Sequence, residues 1–320
     1  GLFKDLSVNG PATSIELAAR TGIVVRYALE WLSQMACAEY LLYDPTDQRF
    51  SLPATHAAIL AQEGGPGFLG GLYQNFQSIE DGVFSKLLRA FRDGGGISYS
   101  EYNADFWDGL DRYTMGGLKH TLIQQYLPAM PDVQAALELG AKVADVGCGR
   151  GGILLLLAEA FQRSRFVGYD AFAPNITRAK ANAQAAGITD RVNYVHHNAT
   201  MGLPEKYDVI FCFDTLHHAT NVPGFMRTIY EALNPGGILV CSEAACADTL
   251  EENIGPGGAT LYASSILVCV PQVLSEGNEA YGAAGITFSK MHQLAVNAGF
   301  KDPHLVPLEN SANNIYEVRR

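Results

Sequence analysis

The stretch Val143-Ala-Asp-Val-Gly-Cys-Gly-Arg-Gly-Gly152 decides the fold of this chain. It runs from one short apolar segment into another, residues 152–158, and glycine stands at every second position from 147 to 151. Glycine permits tight turns and lets a ligand approach the backbone, so Gly147, Gly149 and Gly151 predict a ligand-binding turn between a strand and a helix. A turn that only packs the helix on the sheet is the alternative.

The residues from 134 onward alternate between strand and helix patterns. Strands are predicted near residues 142–146, 165–169, 192–195, 207–213 and 237–242. Helices are predicted between them near residues 151–161, 174–186 and 222–233, and a last helix at 287–298 precedes two short strands near 302–306 and 314–318. This order predicts an α/β fold with a Rossmann-like, mostly parallel sheet of seven strands, which binds its ligands at the carboxyl ends of the strands.

Two carboxylates narrow the chemistry of the ligand. Asp145 precedes Gly147 by two residues, where it would repel the pyrophosphate of a dinucleotide and attract a cation. Asp170 closes the second predicted strand, 21 residues after Gly149, and is placed to accept hydrogen bonds from ribose hydroxyls. A ligand that joins a cation to a ribose is S-adenosylmethionine, whose product is S-adenosylhomocysteine. The sequence therefore predicts this cofactor rather than the nicotinamide cofactor of an oxidoreductase.

Polar and aromatic side chains follow the third and fourth predicted strands. The amide of Asn198 could pair with an adenine edge and Ala199 adds a backbone N–H, although both could be ordinary turn residues. The fourth strand ends in a second group, Phe213, Asp214, His217 and His218. These residues are expected at the ligand edge of the sheet.

Residues 11–53 follow the order helix, turn, helix and two-stranded wing, which predicts a winged helix. Strands are expected at 40–43 and 49–52, around a turn at 44–47. Through residue 56 there are 4 basic and 6 acidic residues, too few cations for phosphate contacts. The unit is therefore predicted to dimerise or pack rather than to bind nucleic acid.

Residues 68–130 read as helices rich in aromatic side chains, after a linker at 64–67. A helical layer in front of an α/β domain could form a lid over a pocket, although aromatics of this kind are more often core. The candidate substrate contacts are Tyr73, Phe76, Trp107, Tyr113, Met115 and His120.

The composition excludes several classes of protein. The 320 residues are 48% hydrophobic and 17% charged with a net charge of −11, which is unlike a disordered chain or a polyanion-binding protein. The longest apolar run, residues 152–158, is shorter than the roughly 20 residues of a membrane span, so no membrane partner is predicted. The six cysteines include no Cys-x-x-Cys pair, and the first residues show no signal-peptide pattern, so a reducing cytoplasm is expected.

Residues 142–243 resemble the class I S-adenosylmethionine-dependent methyltransferases. Asp145-Val-Gly-Cys-Gly-Arg-Gly151 matches their first motif, and Asn234-Pro-Gly-Gly237 matches their turn before the fifth strand. The whole chain is similar to the bacterial and fungal winged-helix methyltransferases, some of which are labelled transcriptional regulators, and residues 246–286 are similar to that group's insertion. The resemblance implies a homodimer, a small-molecule methyl acceptor, and donor contacts by Ala171 and Phe172 as well.

Leu216-His217-His218 matches the Leu-His-(Asp/Asn) motif of the small-molecule O-methyltransferases, which implies that His217 is the general base. Glu243, at the end of the fifth strand, matches the glutamate that orients this histidine. Two positions depart from the pattern, since Lys290 stands where the family has a second glutamate and His218, kept as a catalytic candidate, replaces the Asp or Asn. Methyl transfer to oxygen is favoured, with nitrogen or sulfur possible.

The predicted organisation is a winged-helix dimerisation domain at 1–62, a helical linker or lid at 63–133 and the donor-binding domain at 134–320. Metal-assisted catechol methylation through Asp214 and Glu243 lacks an evident third oxygen ligand, so no metal is expected. The alternative function is a DNA-binding regulator that uses a degenerate methyltransferase fold as a ligand sensor.

Overall fold

A computed structural model describes residues 1–277, 279–301, 303–309 and 311–320. The chain forms two compact units, of which the first contains Gly1–Gln77 and Ala104–His120, and the second contains Ser78–Asn103 and Thr121–Arg320. Residues 63–133, predicted as one helical segment, are thus shared between the units.

The first unit begins with three helices, a hairpin and a fourth helix. Their bounds are α1 Leu2–Asn9, α2 Ser14–Thr21, α3 Val25–Cys37, β1 Leu42–Asp44, β2 Arg49–Ser51 and α4 Ala54–Leu60. Helix α2 starts with a capping box, in which the Thr13 hydroxyl accepts a hydrogen bond from Glu16 N and the Glu16 side chain accepts one from Thr13 N. It ends at Gly22, whose φ of 73° is left-handed. The predicted winged-helix order is therefore present.

Strand β1 begins two residues later than its apolar pattern predicts. The backbone N–H groups of Tyr40 and Leu41 both donate to Met35 O, 2.9 and 3.3 Å away, and close the end of α3. Tyr40 and Leu41 are therefore held by the helix end, and the hairpin pairs Leu42 with Ser51. Helix capping takes precedence here over strand propensity.

The second unit is built on a seven-stranded sheet. Its strands are β3 Lys142–Val146, β4 Arg165–Asp170, β5 Val192–His196, β6 Tyr207–Phe213, β7 Leu233–Ala244, β8 His304–Leu305 and β9 Asn313–Arg319. Their order is β5-β4-β3-β6-β7-β9-β8; the first five are parallel, whereas β9 is antiparallel to both β7 and β8. The predicted mostly parallel sheet is confirmed, and its switch point lies between β3 and β6, where such sheets bind ligands.

The remaining helices complete the two units. They are α5 Gly70–Gly82, α6 Phe84–Asp93, α7 Ala104–Thr121, α8 Pro131–Leu139, α9 Gly152–Ala160, α10 Ala173–Ala186, α11 Val222–Ala232, α12 Pro256–Ser264, α13 Val270–Leu274 and α14 Phe288–Ala298. Buried residues of α11 and α14, such as Met226 and Met291, share one core cluster with the sheet residues Ile210 and Leu239. This burial fixes the strand register that aligns the ligand edge.

Two sequence expectations at strand ends are refined. The turn at 234–237 lies inside β7, as an irregularity between the pairs Tyr207–Leu233 and Val209–Ile238. The strand expected at 302–306 falls partly on residue 302, which lies outside the described residues, and the described strand is His304–Leu305.

Among the described residues, one helical segment, Pro256–Leu274, is long and apolar enough to cross a membrane by length and composition, with a mean hydropathy of 1.4. Gly257, Gly258 and Ser264 interrupt its apolar runs, so the sequence pattern does not predict a span here. The segment joins α12 and α13 through a π-helical turn, Ser265–Cys269. One such helix is weak support for a membrane protein, since core helices pass the same test.

Candidate functional site

The three glycines of the loop after β3 all have left-handed backbones, but they meet different surroundings. Their φ angles are 75° at Gly147, 52° at Gly149 and 84° at Gly151. A Cβ at 147 would lie 2.2 Å from Thr215 Oγ1, and one at 151 would lie 2.4 Å from the hydroxyl of Tyr194. A Cβ at 149 would meet no described atom within 4 Å. The protein's own packing therefore requires glycine at 147 and 151, whereas the space beside Gly149 is open to a ligand.

Asp145 is a buried carboxyl group in need of a partner. Its residue is 1% exposed, and neither carboxylate oxygen has a hydrogen-bond partner among the described residues. Burial, together with the negative charge of Asp170, raises the pKa of Asp145 to about 8. A buried polar group is normally satisfied, so this one indicates a site for a ligand that is cationic or donates hydrogen bonds.

Asp170, at the end of β4, is tied to the glycine loop. Its Oδ2 accepts a hydrogen bond from Gly149 N at 2.9 Å, and its Oδ1 accepts one from Phe172 N at 2.8 Å. Burial raises the pKa of Asp170 even though these hydrogen bonds act to lower it. The loop and the carboxylate are therefore positioned together, with Phe172 half-buried and Ala171 exposed beside them.

Asn198 and Ala199 follow β5 at the same edge of the sheet. Asn198 Oδ1 accepts from the Thr200 N and Oγ1 atoms at 3.1 and 2.7 Å, which caps the short turn Ala199–Met201. This uses the carbonyl end of the exposed amide, so its N–H₂ end makes no hydrogen bond to a described residue. Ala199 is buried.

His217 and Glu243 form a buried pair after neighbouring strands. His217 lies on the 3₁₀ turn Leu216–His218 after β6, and Glu243 lies near the end of β7. His217 Nδ1 is 2.5 Å from Glu243 Oε2, while Oε1 accepts from Leu216 N at 2.9 Å. Burial by itself lowers the pKa of His217, but the Glu243 carboxylate and the Cys269 thiol more than offset this and hold the pKa above its usual range.

His218 has a different electrostatic environment. Its Nδ1 is 3.0 Å from Gln272 Oε1, and its ring lies 4.2 Å from that of His217 and 5.8 Å from that of Tyr99. Burial and then the charge of His217 lower the pKa of His218 to about 3. His218 is therefore neutral at physiological pH.

Asp214 is held by a residue that the sequence analysis did not single out. Asn313 Nδ2, on β9, donates to Asp214 Oδ1 and Oδ2 at 2.9 and 3.0 Å and also lies 2.8 Å from Ser242 Oγ. Asp214 has a left-handed φ of 48°, and Phe213 before it is buried. Asn313 lies on an antiparallel strand, 99 residues from Asp214 in the chain, so no local motif predicts this contact.

Three more residues lie at the site, although none was a named candidate: Tyr99 belongs to the aromatic segment expected to border the acceptor, and Cys269 and Gln272 belong to the insertion. Tyr99 follows a capping box on Ser98, and its ring lies 6.3 Å from that of Phe172. Cys269 and Gln272 are buried in the insertion, which has no periodic pattern at these positions. The Lys290 ammonium, on α14, bonds to Gln293 instead of reaching His217.

The six predicted substrate contacts all belong to the first compact unit. Tyr73 and Tyr113 are 54% and 41% exposed, and His120 Nε2 lies 3.1 Å from Gly64 O. Phe76, Trp107 and Met115 are half-buried. Their role stays a prediction.

Two family models match this chain, each over a different segment. A model described as a methyltransferase domain matches residues 144–239, and one described as an Rv2258c-like winged HTH domain matches residues 1–62. Along the chain, a winged helix-turn-helix domain is followed by a methyltransferase domain. The methyltransferase domain contains the glycine loop, both histidines and the strands that lead to them.

The curated sequence relative matches only part of the chain, whereas the solved structures match all of it in fold. The ubiquinone biosynthesis O-methyltransferase of Cereibacter sphaeroides is 31% identical over 114 residues, which cover 35% of this chain and 44% of that protein. The chain thus spans less than half the length of this curated relative. Human N-acetylserotonin methyltransferase, in complex with S-adenosylmethionine, has a TM-score of 0.70 at 16% identity and covers 100% of this chain and 90% of its own. An O-methyltransferase family protein from Burkholderia thailandensis has a TM-score of 0.69 at 17% identity, with 100% and 91% covered.

Proposed function

We propose that this protein is an S-adenosylmethionine-dependent methyltransferase whose acceptor is a small molecule. The observation that carries the proposal is Asp145, a buried carboxyl group with both oxygens unpaired among the described residues, next to the open face of Gly149. These features fit a ligand that is cationic near the glycine loop and has no phosphate. The named methyltransferases that share the fold support the same assignment.

The donor is held by the carboxyl ends of β3 to β6. Asp145 balances its ammonium group, and Gly147, Gly149 and Gly151 keep the loop backbone accessible or correctly packed. Asp170 receives the ribose hydroxyls, with Ala171 and Phe172 beside it, and the free amide end of Asn198 with the backbone of Ala199 faces the adenine. Phe213, the last residue of β6, and Asp214 after it border the donor.

When bound, the donor supplies a methyl group already activated by its sulfonium. The chain must then position the acceptor and take up its proton. His217 is the base in its neutral form: its Nδ1 faces the carboxylate of Glu243, an acceptor, so Nδ1 keeps its proton and Nε2 offers the lone pair. Because the pKa of His217 is raised, this form becomes more abundant as the pH rises. Glu243 holds this tautomer and stabilises the imidazolium after proton transfer. His218, neutral and with its ring 4.2 Å from that of His217, adds a second polar group for the acceptor.

Transfer to oxygen is the favoured reaction, because a buried histidine base serves a hydroxyl acceptor most directly; nitrogen and sulfur acceptors need less help. The organisation predicted from the sequence completes the proposal. Residues 1–62 dimerise, residues 63–133 supply acceptor contacts such as Tyr73 and Trp107, and residues 134–320 bind the donor in a cytoplasmic enzyme. The acidic winged helix disfavours the DNA-binding regulator.

A panel of small phenols, carboxylic acids, amines and thiols tests the reaction. Formation of S-adenosylhomocysteine is followed by mass spectrometry with each acceptor and with none. The proposal expects turnover with at least one class of small acceptor and most with a hydroxyl. Donor binding without turnover, together with a steeply salt-dependent gel shift of duplex DNA, would favour the regulator instead.

A further inference from the structure

We propose that His217, His218 and Cys269 form a binding site for one transition-metal ion, with Zn²⁺ as the best match. One ligand atom from each of these three residues can be chosen so that all lie within 4.8 Å of one another. Two imidazoles and a thiol are donors that Zn²⁺ prefers, whereas Mg²⁺ and Ca²⁺ prefer oxygen ligands. The sequence pattern predicted no metal, because Cys269 lies 52 residues from His217 in the insertion.

The outer nitrogens of both histidines are already occupied in the way that metal ligands require. His217 Nδ1 faces Glu243 Oε2 at 2.5 Å, and His218 Nδ1 faces Gln272 Oε1 at 3.0 Å. Both partners are oxygen acceptors, so each Nδ1 is protonated and Nε2 is the nitrogen that can bind an ion. The ion displaces any proton that Nε2 carries, since a ligating histidine is neutral. Metal-binding histidines usually donate their second N–H to a carboxylate or carbonyl in this manner.

The backbone holds these groups on two short elements. The 3₁₀ turn Leu216–His218 carries both histidines, and the π-helical turn Ser265–Cys269 ends at the thiol. Gln272 follows three residues later on α13, so one stretch supplies a ligand and the partner of another ligand. Single π-helical turns occur often at functional sites.

The geometry needs a modest adjustment to hold an ion. Zinc binds nitrogen at about 2.0–2.1 Å and sulfur at about 2.3 Å, which sets neighbouring ligands about 3.5 Å apart in a tetrahedron. The present spacing of up to 4.8 Å exceeds that value by about 1.3 Å, so the ligand atoms must move closer together to hold an ion. Cys269 and His217 are 8% and 4% exposed, so water competes weakly for the ion.

Three protein ligands leave one position of a tetrahedral site open, as in catalytic rather than structural zinc sites. The charge also balances, because a dication, one thiolate and the Glu243 carboxylate sum to zero. The consequence rests on the proposed function: the Nε2 lone pair of His217 can bind the ion or take the acceptor's proton, but not both. Zinc occupancy therefore switches methyl transfer off while leaving the donor residues untouched.

Cobalt titration of the untagged, chelator-treated full chain, with a non-thiol reductant, tests the site. Co²⁺ should bind once per chain and give the intense visible bands of a tetrahedral ion together with a thiolate-to-cobalt charge-transfer band. Cys269→Ser should remove the charge-transfer band, and Gln272→Leu should weaken binding about 10- to 100-fold. Cys37→Ser, which removes an exposed thiol of the first unit, is the matched control and should change nothing.

Circular dichroism of each variant separates a lost ligand from a lost fold. Absence of the charge-transfer band in folded wild-type protein, or its survival in Cys269→Ser, would overturn the metal site. The two proposals fail separately: cobalt spectra without any donor binding would refute only the methyltransferase, and donor binding without cobalt spectra would refute only the metal site. If Zn²⁺ at saturation left methyl transfer unchanged, the competition at His217 would be refuted.

Discussion

His217 Nδ1 and Glu243 Oε2 lie 2.5 Å apart, although 26 residues separate them in the chain. His217 follows the carboxyl end of β6 and Glu243 lies near the carboxyl end of the adjacent parallel strand β7, where Phe213 pairs with Ser242. The pair is almost fully buried, with side chains 5% and 1% exposed, so water cannot take the place of either partner in this contact. This contact fixes the histidine tautomer on which the proposed base depends.

Glu243→Gln should lower kcat by at least tenfold, because the neutral amide cannot balance the charge of the His217 imidazolium, and its one carbonyl oxygen cannot accept from both Leu216 N and His217 Nδ1. The donor dissociation constant should stay the same, since Glu243 does not touch the glycine loop. Steady-state kinetics and donor titration measure the two effects. Glu231→Gln, on the exposed face of α11, is the control and should keep full activity.

His217→Ala should lower kcat by about 10²- to 10⁴-fold with a hydroxyl acceptor, which is the usual contribution of a general base. The loss should shrink with an amine or thiol acceptor, since these nucleophiles depend less on a base. Comparing kcat for the acceptor classes measures it. Equal turnover of variant and wild type with a hydroxyl acceptor would eliminate His217 as the base.

Gly149→Ala and Gly151→Ala should separate ligand binding from folding. Both positions have a left-handed φ, which costs an alanine about 1–2 kcal/mol. Only at 151 does the new Cβ also strike the Tyr194 ring and hydroxyl, so thermal denaturation should show a larger fall in Tm there. Gly149→Ala should stay folded and lose donor affinity. A larger Tm loss at 149 would contradict the assignment of open space to that glycine.

Donor affinity should depend on pH through Asp145. Its pKa of about 8 in the free protein means that the carboxyl is largely protonated at pH 6, and the donor's ammonium favours the ionised form. Affinity should therefore rise about tenfold or more from pH 6 to pH 8, and fall above that as the donor's α-amino group, with a pKa of about 7.7–8.0, loses its charge. Calorimetry in buffers of different ionisation enthalpy should detect proton release below pH 8.

Four other titratable groups surround Asp145. Asp170, Cys148, Tyr194 and Cys212 interact with it from the neighbouring strands and loop, and burial raises the pKa of all four. Asp145→Asn should abolish the rising limb, whereas a rise that survives in this variant would assign the titration to Asp170.

The sequence predicted those parts of the site that depend on strand order. Alternating strands and helices place Asp145, Asp170 and His217 at one sheet edge whatever the details of packing. The insertion could not be predicted in this way, because the positions of Cys269 and Gln272 depend on a π-helical turn without a pattern of its own.

Packing also decided the role of the glycines, which have identical side chains in the sequence. Contacts with Thr215, after β6, and with Tyr194, on β5, distinguish positions 147 and 151 from 149. Asn313 reaches Asp214 through an antiparallel return of the chain, a long-range pairing that no local spacing encodes.

Isothermal titration of the folded chain with S-adenosylmethionine and S-adenosylhomocysteine tests the central claim most directly. Wild-type protein should bind one molecule per chain with micromolar affinity, and Asp145→Asn should bind at least tenfold more weakly while its circular dichroism spectrum stays the same. No heat from folded wild-type protein, or equal affinity in the Asp145→Asn variant, would contradict a donor site built around that buried carboxyl group.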